Sequence, residues 1–230
     1  LTYFECVTIL AFAVFADEPV DVAVIEVGLG GITDATNVGD GTVSVVTPIS
    51  LDHTELLGDD VADIALEKAG IIKEDGFLIS AAQPVEAAQV LLEKANEAGV
   101  PFRFEGIEFG VESRTMAVGG QMVTVNGLAG RYEDLLVPLH GEHQAQNAAV
   151  AVAALEAFIG GGAKELDVEL LRTGFQTVTS PGRLEVVRTA PTIIVDAAHN
   201  PAGAKASAQA VLESFNLSSL VLVVGILGEK

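Results

Sequence analysis

The 230 residues are half hydrophobic and carry a formal net charge of −20, with 12 Lys and Arg against 32 Asp and Glu. That composition supports a sizeable core, and its negative field repels both a nucleic-acid backbone and an anionic membrane, so neither is expected as a partner. The single cysteine, Cys6, leaves no internal disulfide to form, which suits a reducing cytoplasm.

Leu1 to Phe15 has apolar residues at helical spacing. It carries Glu5, has no basic flank and is too short to span a bilayer, so it reads as a core helix with a buried Cys6 rather than a signal peptide. Asp21 to Val27, DVAVIEV, and Val43 to Ile49, VSVVTPI, are short, apolar and rich in β-branched residues. Strands buried on both faces of a parallel sheet have this pattern. Asp59 and Asp60 are good caps for a helix running to about Ile72. A strand at Phe77 to Ala81, a helix from Pro84 to Ala98 and a strand at Val100 to Phe104 follow, and this alternation predicts an open α/β sheet with helices on both faces.

From Ile107 to Leu139 the pattern changes to short runs broken by Gly119-Gly120 and Asn126-Gly127, which predicts a small antiparallel piece. His143 to Phe158 and Leu166 to Phe175 read as helices, and Thr177 to Gly182, TVTSPG, as a linker. Strands are expected at Leu184 to Val187, Thr192 to Val195 and Leu220 to Val224, with a helix from Pro201 to Phe215 between the last two. These would be the start of a second, Rossmann-like α/β unit. The expected division is therefore 1–178 and 179–230.

Parallel sheets bind ligands beyond the carboxyl ends of their strands. Glu26 and the Gly28, Gly30, Gly31 loop end the first strand, and Asp52 and His53 lie beyond the second. A carboxylate and an imidazole meeting at one sheet edge can hold a divalent cation such as Mg²⁺. The alternative is a paired buried acid at Glu26 and a helix-capping histidine at His53. Neither GxGxxG nor GxxxxGK[ST] occurs in this loop, so it is not a dinucleotide or phosphate loop of those kinds.

The ordered motifs VIEVGLGG, DATNV, LDHTELLG, EKAGIIK, HQAQNAA, PGRLEVV and DAAHNP resemble folylpolyglutamate synthase and its bifunctional dihydrofolate synthase relative, in the Mur ligase superfamily. The resemblance implies a central ATPase domain followed by the start of a C-terminal ligase domain. It implies an ATP- and Mg²⁺-dependent cytoplasmic monomer that joins L-glutamate to a folate or dihydropteroate carboxylate through an acyl phosphate. It assigns Glu26 and His53 to the metal and Lys68 to a carbamylated lysine beside it. Asn147 and Arg183 become ATP contacts, Asp196 the ribose acid, and His199 a residue on the phosphate and glutamate side.

Each of these residues also has a plainer role open to it. Lys68 can balance a helix C-terminus, Asn147 can face outward on its helix, and Arg183 can be a linker charge. Asp196 can be a strand-end cap and His199 a turn residue. The family's phosphate loop would precede Leu1 and the rest of its C-terminal domain would follow GILGEK, so these residues alone are expected to have little ligase activity. Ile32 stands where many relatives carry arginine. The competing readings are a peptidoglycan-type Mur ligase, which would carry an extra N-terminal domain, and a non-catalytic nucleotide-binding module, which would lack the polar site residues.

Overall fold

The computed structural model describes residues 1–225, which form two units, Leu1–Phe102 and the residues from Arg103 on. The last five residues of the GILGEK ending lie outside the described ones. No helix among the described residues is long and apolar enough to cross a membrane.

In the first unit, helix α1 (Tyr3–Asp17) opens with a capping box: Glu5 N–H donates to Thr2 Oγ1 at 3.2 Å, and Thr2 N–H to Glu5 Oε2 at 2.6 Å. Strands β1 (Val43–Val46) and β2 (Phe77–Ser80) pair in parallel, Val43 opposite Phe77 and Val46 opposite Ser80. Strand β3 (Phe102–Phe104) adds on the other side of β2. All four residues of the central β2 are buried, as a strand covered on both faces requires. The sheet is reached through the short α2 (Thr54–Leu57), α3 (Val61–Ala69) and α4 (Val85–Ala98).

Asp60 caps α3 by accepting from Asp63 N–H at 2.9 Å. Gln83 then clamps the carboxyl ends of β1 and β2. Its Oε1 accepts from Ile49 N–H at 2.9 Å, while Nε2 donates to the Thr47 carbonyl at 3.0 Å and Ser80 Oγ at 3.2 Å.

Three expectations fail here. Asp21 to Val27 forms no ladder, and Val24 is 93% exposed. β-branched composition makes a strand only where a neighbour supplies hydrogen bonds, and among the described residues the sheet ends at β1. Helix α1 is not a core helix, because its apolar residues surround the axis and only Thr8 is buried. Cys6 is accordingly exposed.

The second unit begins with an antiparallel meander of β4 (Gly110–Ala117), β5 (Gly120–Asn126) and β6 (Arg131–Val137). Both predicted glycine turns lie where the chain reverses. Helix α5 (Glu142–Gly160) packs on all three strands, and α6 (Val168–Gln176) packs on β6.

The centre of this packing is polar. Glu156 of α5 is fully buried and accepts from Ala129 N–H at 3.1 Å, Gly130 N–H at 2.9 Å, Leu128 N–H and the Tyr132 hydroxyl at 2.7 Å. A buried carboxylate is tolerable only with its acceptor sites filled in this way.

Beyond α6, β7 (Glu185–Thr189) and β8 (Thr192–Val195) form an antiparallel hairpin, followed by α7 (Pro201–Ser214), which touches α5. The predicted strand at Leu220 to Val224 forms no ladder.

Candidate active site

In the first unit the glycine loop is held from two sides. Asp34 Oδ2 accepts from Gly28 N–H at 3.1 Å and Leu29 N–H at 2.9 Å, while Ile32 N–H donates to the Glu67 carbonyl at 3.1 Å. The loop thus presses on the last turn of α3, which carries Lys68. A side chain at Gly31 would collide with the Glu67 carbonyl and lie 3.2 Å from Lys68 Cα, so this approach requires glycine. Asn37 Nδ2 donates to the Gly70 carbonyl at 3.0 Å and Lys73 Nζ to the Asn37 carbonyl at 3.0 Å, fastening the rest of the loop to the end of α3.

Glu26 is exposed just before this loop. His53 occupies the left-handed region (φ 52°) at the corner before α2, its Nε2 3.9 Å from Asp52 Oδ1. Among the described residues, no group of three or more His, Cys, Asp and Glu side chains stands close enough to hold a metal ion.

In the second unit the supposed linker ends in a defined turn. Arg183 N–H donates to the Ser180 carbonyl at 3.1 Å, with Pro181 and Gly182 (φ 71°) between, the signature of a type II turn. The turn is stitched to the end of β8: Ala197 N–H donates to the Gly182 carbonyl at 2.8 Å and Leu184 N–H to Asp196 Oδ2 at 2.9 Å. Arg183 therefore lies beside Asp196 and acts on its charge.

The DAAHNP segment divides its work locally. Asp196 Oδ1 accepts from Ala198 N–H at 2.9 Å and from Ser207 Oγ of α7 at 2.8 Å. His199 Nδ1 lies 3.0 Å from the Ala197 carbonyl. Asn200, not Asp196, caps α7, accepting from Gly203 N–H at 2.8 Å, with Pro201 in the first turn.

Burial opposes ionisation of Asp196, but the hydrogen bonds from Ser207, Ala198 and Leu184 and the Arg183 charge together hold its carboxyl below the usual range. His143, in the first turn of α5, joins this cluster. Burial pushes its imidazole below the usual value, Asp196 opposes that shift and Arg183 adds to it. Asn147 lies one turn further along α5, exposed, its Nδ2 donating to Gln144 Oε1 at 3.2 Å. Arg183 also borders a cleft of about 720 Å³ lined by Met116, His140, Val178 and Phe215 among others.

The second unit thus gathers Arg183, Asp196 and His143, with His199 on the same loop as Asp196. Glu26, His53 and Lys68 belong to the first unit. Sequence reasoning passed over His143, although it opens the HQAQNAA motif, and over Asp34 and Ser207, whose roles are to hold other residues.

A family model described as the Mur ligase middle domain matches residues 2–155, and one described as the Mur ligase glutamate ligase domain matches residues 182–230. The dihydrofolate synthase/folylpolyglutamate synthase of Mycobacterium tuberculosis is 51% identical over 100% of this chain and 49% of its own length. Folylpolyglutamate synthase of Lacticaseibacillus casei is 36% identical over 100% of this chain and 54% of its own. A solved FPGS–AMPPCP–folate complex superposes with a TM-score of 0.90 at 37% identity, covering 94% of this chain and 53% of that one. The chain spans about half the length of the curated relatives it matches. With the middle-domain model matched over most of its residues, the chain belongs to the Mur ligase family.

Proposed function

We propose that this chain is the central part of an ATP-dependent amide ligase, residues 1–178 forming the ATPase domain and 179–230 the start of the ligase domain. It joins L-glutamate to the carboxylate of dihydropteroate or a folate. The γ-phosphoryl group of ATP passes to a carboxylate oxygen and ADP leaves. The glutamate amine then attacks the acyl carbon, loses a proton and expels phosphate. The observation that carries this reading is the Arg183, Asp196 and His143 cluster, in a chain whose full length is similar to dihydrofolate and folylpolyglutamate synthases.

Arg183, held at the end of a turn, offsets the negative charge that spreads over the transferring phosphoryl group. Asp196 uses three of its roughly four lone-pair sites on Leu184, Ala198 and Ser207, leaving room for a ribose hydroxyl. Asn147 contacts the nucleotide from α5, and His199 faces the phosphate and glutamate side.

Mg²⁺ keeps several waters and takes few protein ligands, chiefly carboxylate oxygens, in phosphate chemistry, so the exposed Glu26 carboxylate fits its donor set while an imidazole is a less usual partner. Glu26 and His53 would hold it, with carbamylated Lys68 adding a carboxylate nearby, and the ion would neutralise phosphate charge. The protein works as a cytoplasmic monomer on small-molecule substrates.

The test is ADP release by the product of the complete reading frame, with ATP, Mg²⁺ and L-glutamate, offered dihydropteroate, a reduced folate monoglutamate, or neither. Pterin-dependent release is expected. Release that ignores both pterins, or none from folded protein, overturns the reading.

A further inference from the structure

Helix α7 is anchored at the end remote from its cap. Glu213, in its last turn, accepts from Arg114 Nη2 of β4 at 2.9 Å, with the two side chains only 31% and 20% exposed. Arg114 Nη1 also donates to Gln121 Oε1 of β5 at 3.3 Å. Gln121 is fully buried, and its Nε2 donates to the Leu139 carbonyl at 3.0 Å and the Gly141 carbonyl at 2.9 Å. Those two carbonyls belong to the segment that leads directly into α5. One continuous polar chain therefore runs from α7 through the meander to the start of α5.

A second link runs beside it. Gln209 Nε2 donates to Glu213 Oε1 at 3.1 Å and reaches Glu142 Oε2, the first residue of α5, at 3.4 Å. The helices are also in close contact there: a side chain at Gly141 would come within 2.7 Å of Ala210 Cβ and 2.6 Å of His143 Cε1.

What the chain connects gives it a role. The start of α5 carries His143 and Asn147, while α7 carries Ser207, the side-chain donor that holds Asp196. These are the two sides of the nucleotide site. We propose that Arg114, Gln121 and Glu213 are positioning residues that fix the separation of the α5 wall from the Asp196 wall and so set nucleotide affinity without touching the nucleotide. The proposal rests on the reading that Asn147, Arg183 and Asp196 bind ATP. An exposed ion pair contributes little, but this one is partly desolvated and its arginine also donates to a buried amide, so removing its charge loosens both walls.

The experiment uses the complete protein and measures the dissociation constant of a non-hydrolysable ATP analogue, KM for ATP, kcat, and amide hydrogen exchange across residues 200–214. The variants are Glu213→Gln, which preserves shape and removes charge, Arg114→Glu, and the swap Arg114→Glu with Glu213→Arg. Glu112→Gln is the control, removing an exposed partner of Arg131 in the same meander.

Glu213→Gln is expected to speed exchange in α7 and weaken analogue binding and raise KM for ATP about five- to tenfold, with kcat at saturating ATP within about twofold. The swap recovers most of the affinity lost in Arg114→Glu, and the control changes nothing. Faster exchange with unchanged affinity makes the network merely structural and overturns the proposal, as does an unchanged Glu213→Gln. If the unmodified protein binds no nucleotide, the ligase reading fails and this proposal fails with it.

Discussion

Ser207 Oγ donates to Asp196 Oδ1 at 2.8 Å, so a side chain from α7 completes the shell around an acid at the end of β8. The carboxylate is thereby fixed in orientation by donors from three segments: the turn before β7, the loop after β8, and α7.

Replacing Ser207 with alanine removes one charge-assisted hydrogen bond while leaving the two backbone donors. A loss of about 1.5 kcal/mol in nucleotide binding is expected, roughly a tenfold weaker dissociation constant, with a much smaller change in kcat. Titration calorimetry with a non-hydrolysable ATP analogue measures it.

Glu156 is the structural acid of the second unit. Truncation to alanine leaves three backbone N–H groups and the Tyr132 hydroxyl without their acceptor. The expected cost is about 3–5 kcal/mol in unfolding free energy, read from the shift in denaturation midpoint. Glu156→Gln keeps the shape but turns one acceptor into a donor facing N–H groups, so it also destabilises.

Tyr132 sets an alkaline limit. Burial, offset in part by the hydrogen bond from Leu166 N–H and reinforced by Glu156, pushes its hydroxyl up to about 12 from 10.0. The folded state then binds a proton that the unfolded state releases, so stability is full below pH 10, falls as pH rises, and this contribution is gone above about 12. Tyr132→Phe flattens that part of the profile while lowering stability at neutral pH.

On the acid side His140 and His143 are both held below the ordinary 6.5, in each case chiefly by burial. The unfolded chain takes up these protons first as pH falls, so stability present above about 6.5 declines progressively below it. His143→Gln reduces the slope of unfolding free energy against pH in that range. An unchanged slope would show that His143 contributes nothing to it.

Lys68→Ala is expected to slow ligation about 10²- to 10³-fold, the scale for loss of a charge-stabilising group. Nucleotide affinity changes little, and, if Lys68 carries the proposed carbamate, added short-chain carboxylic acids restore part of the rate by standing in for it. Gly31→Ala lowers the rate in the same assay by pushing the glycine loop off the last turn of α3, at a cost of about 1–3 kcal/mol in stability.

Periodicity and punctuation carried most of the fold. The runs at Val43 and Phe77 became the paired strands β1 and β2, the glycine turns opened the meander, and the alanine-rich run after His143 became α5 with Glu156 hidden inside it. Asp21 to Val27 and Leu220 to Val224 have strand composition without ladders, because apolar sequence states a preference and only a neighbour satisfies it. In the candidate site, Arg183 and Asp196 stood out as motif residues, whereas the turn that sets them side by side lies at the end of a segment read only as a linker. Glu213, Arg114 and Gln121 left no local trace, since nothing near any of them in sequence reveals a partner up to 99 residues away.

The proposed reaction is acyl-phosphate ligation of glutamate to a pterin carboxylate. Its most direct test supplies the complete protein with dihydropteroate or reduced folate labelled with ¹⁸O in the carboxylate, together with ATP, Mg²⁺ and L-glutamate. Transfer of one labelled oxygen into each inorganic phosphate, matched by one new glutamyl amide, is the predicted result. Phosphate that stays unlabelled while the amide forms, or phosphate release with no amide, would contradict it.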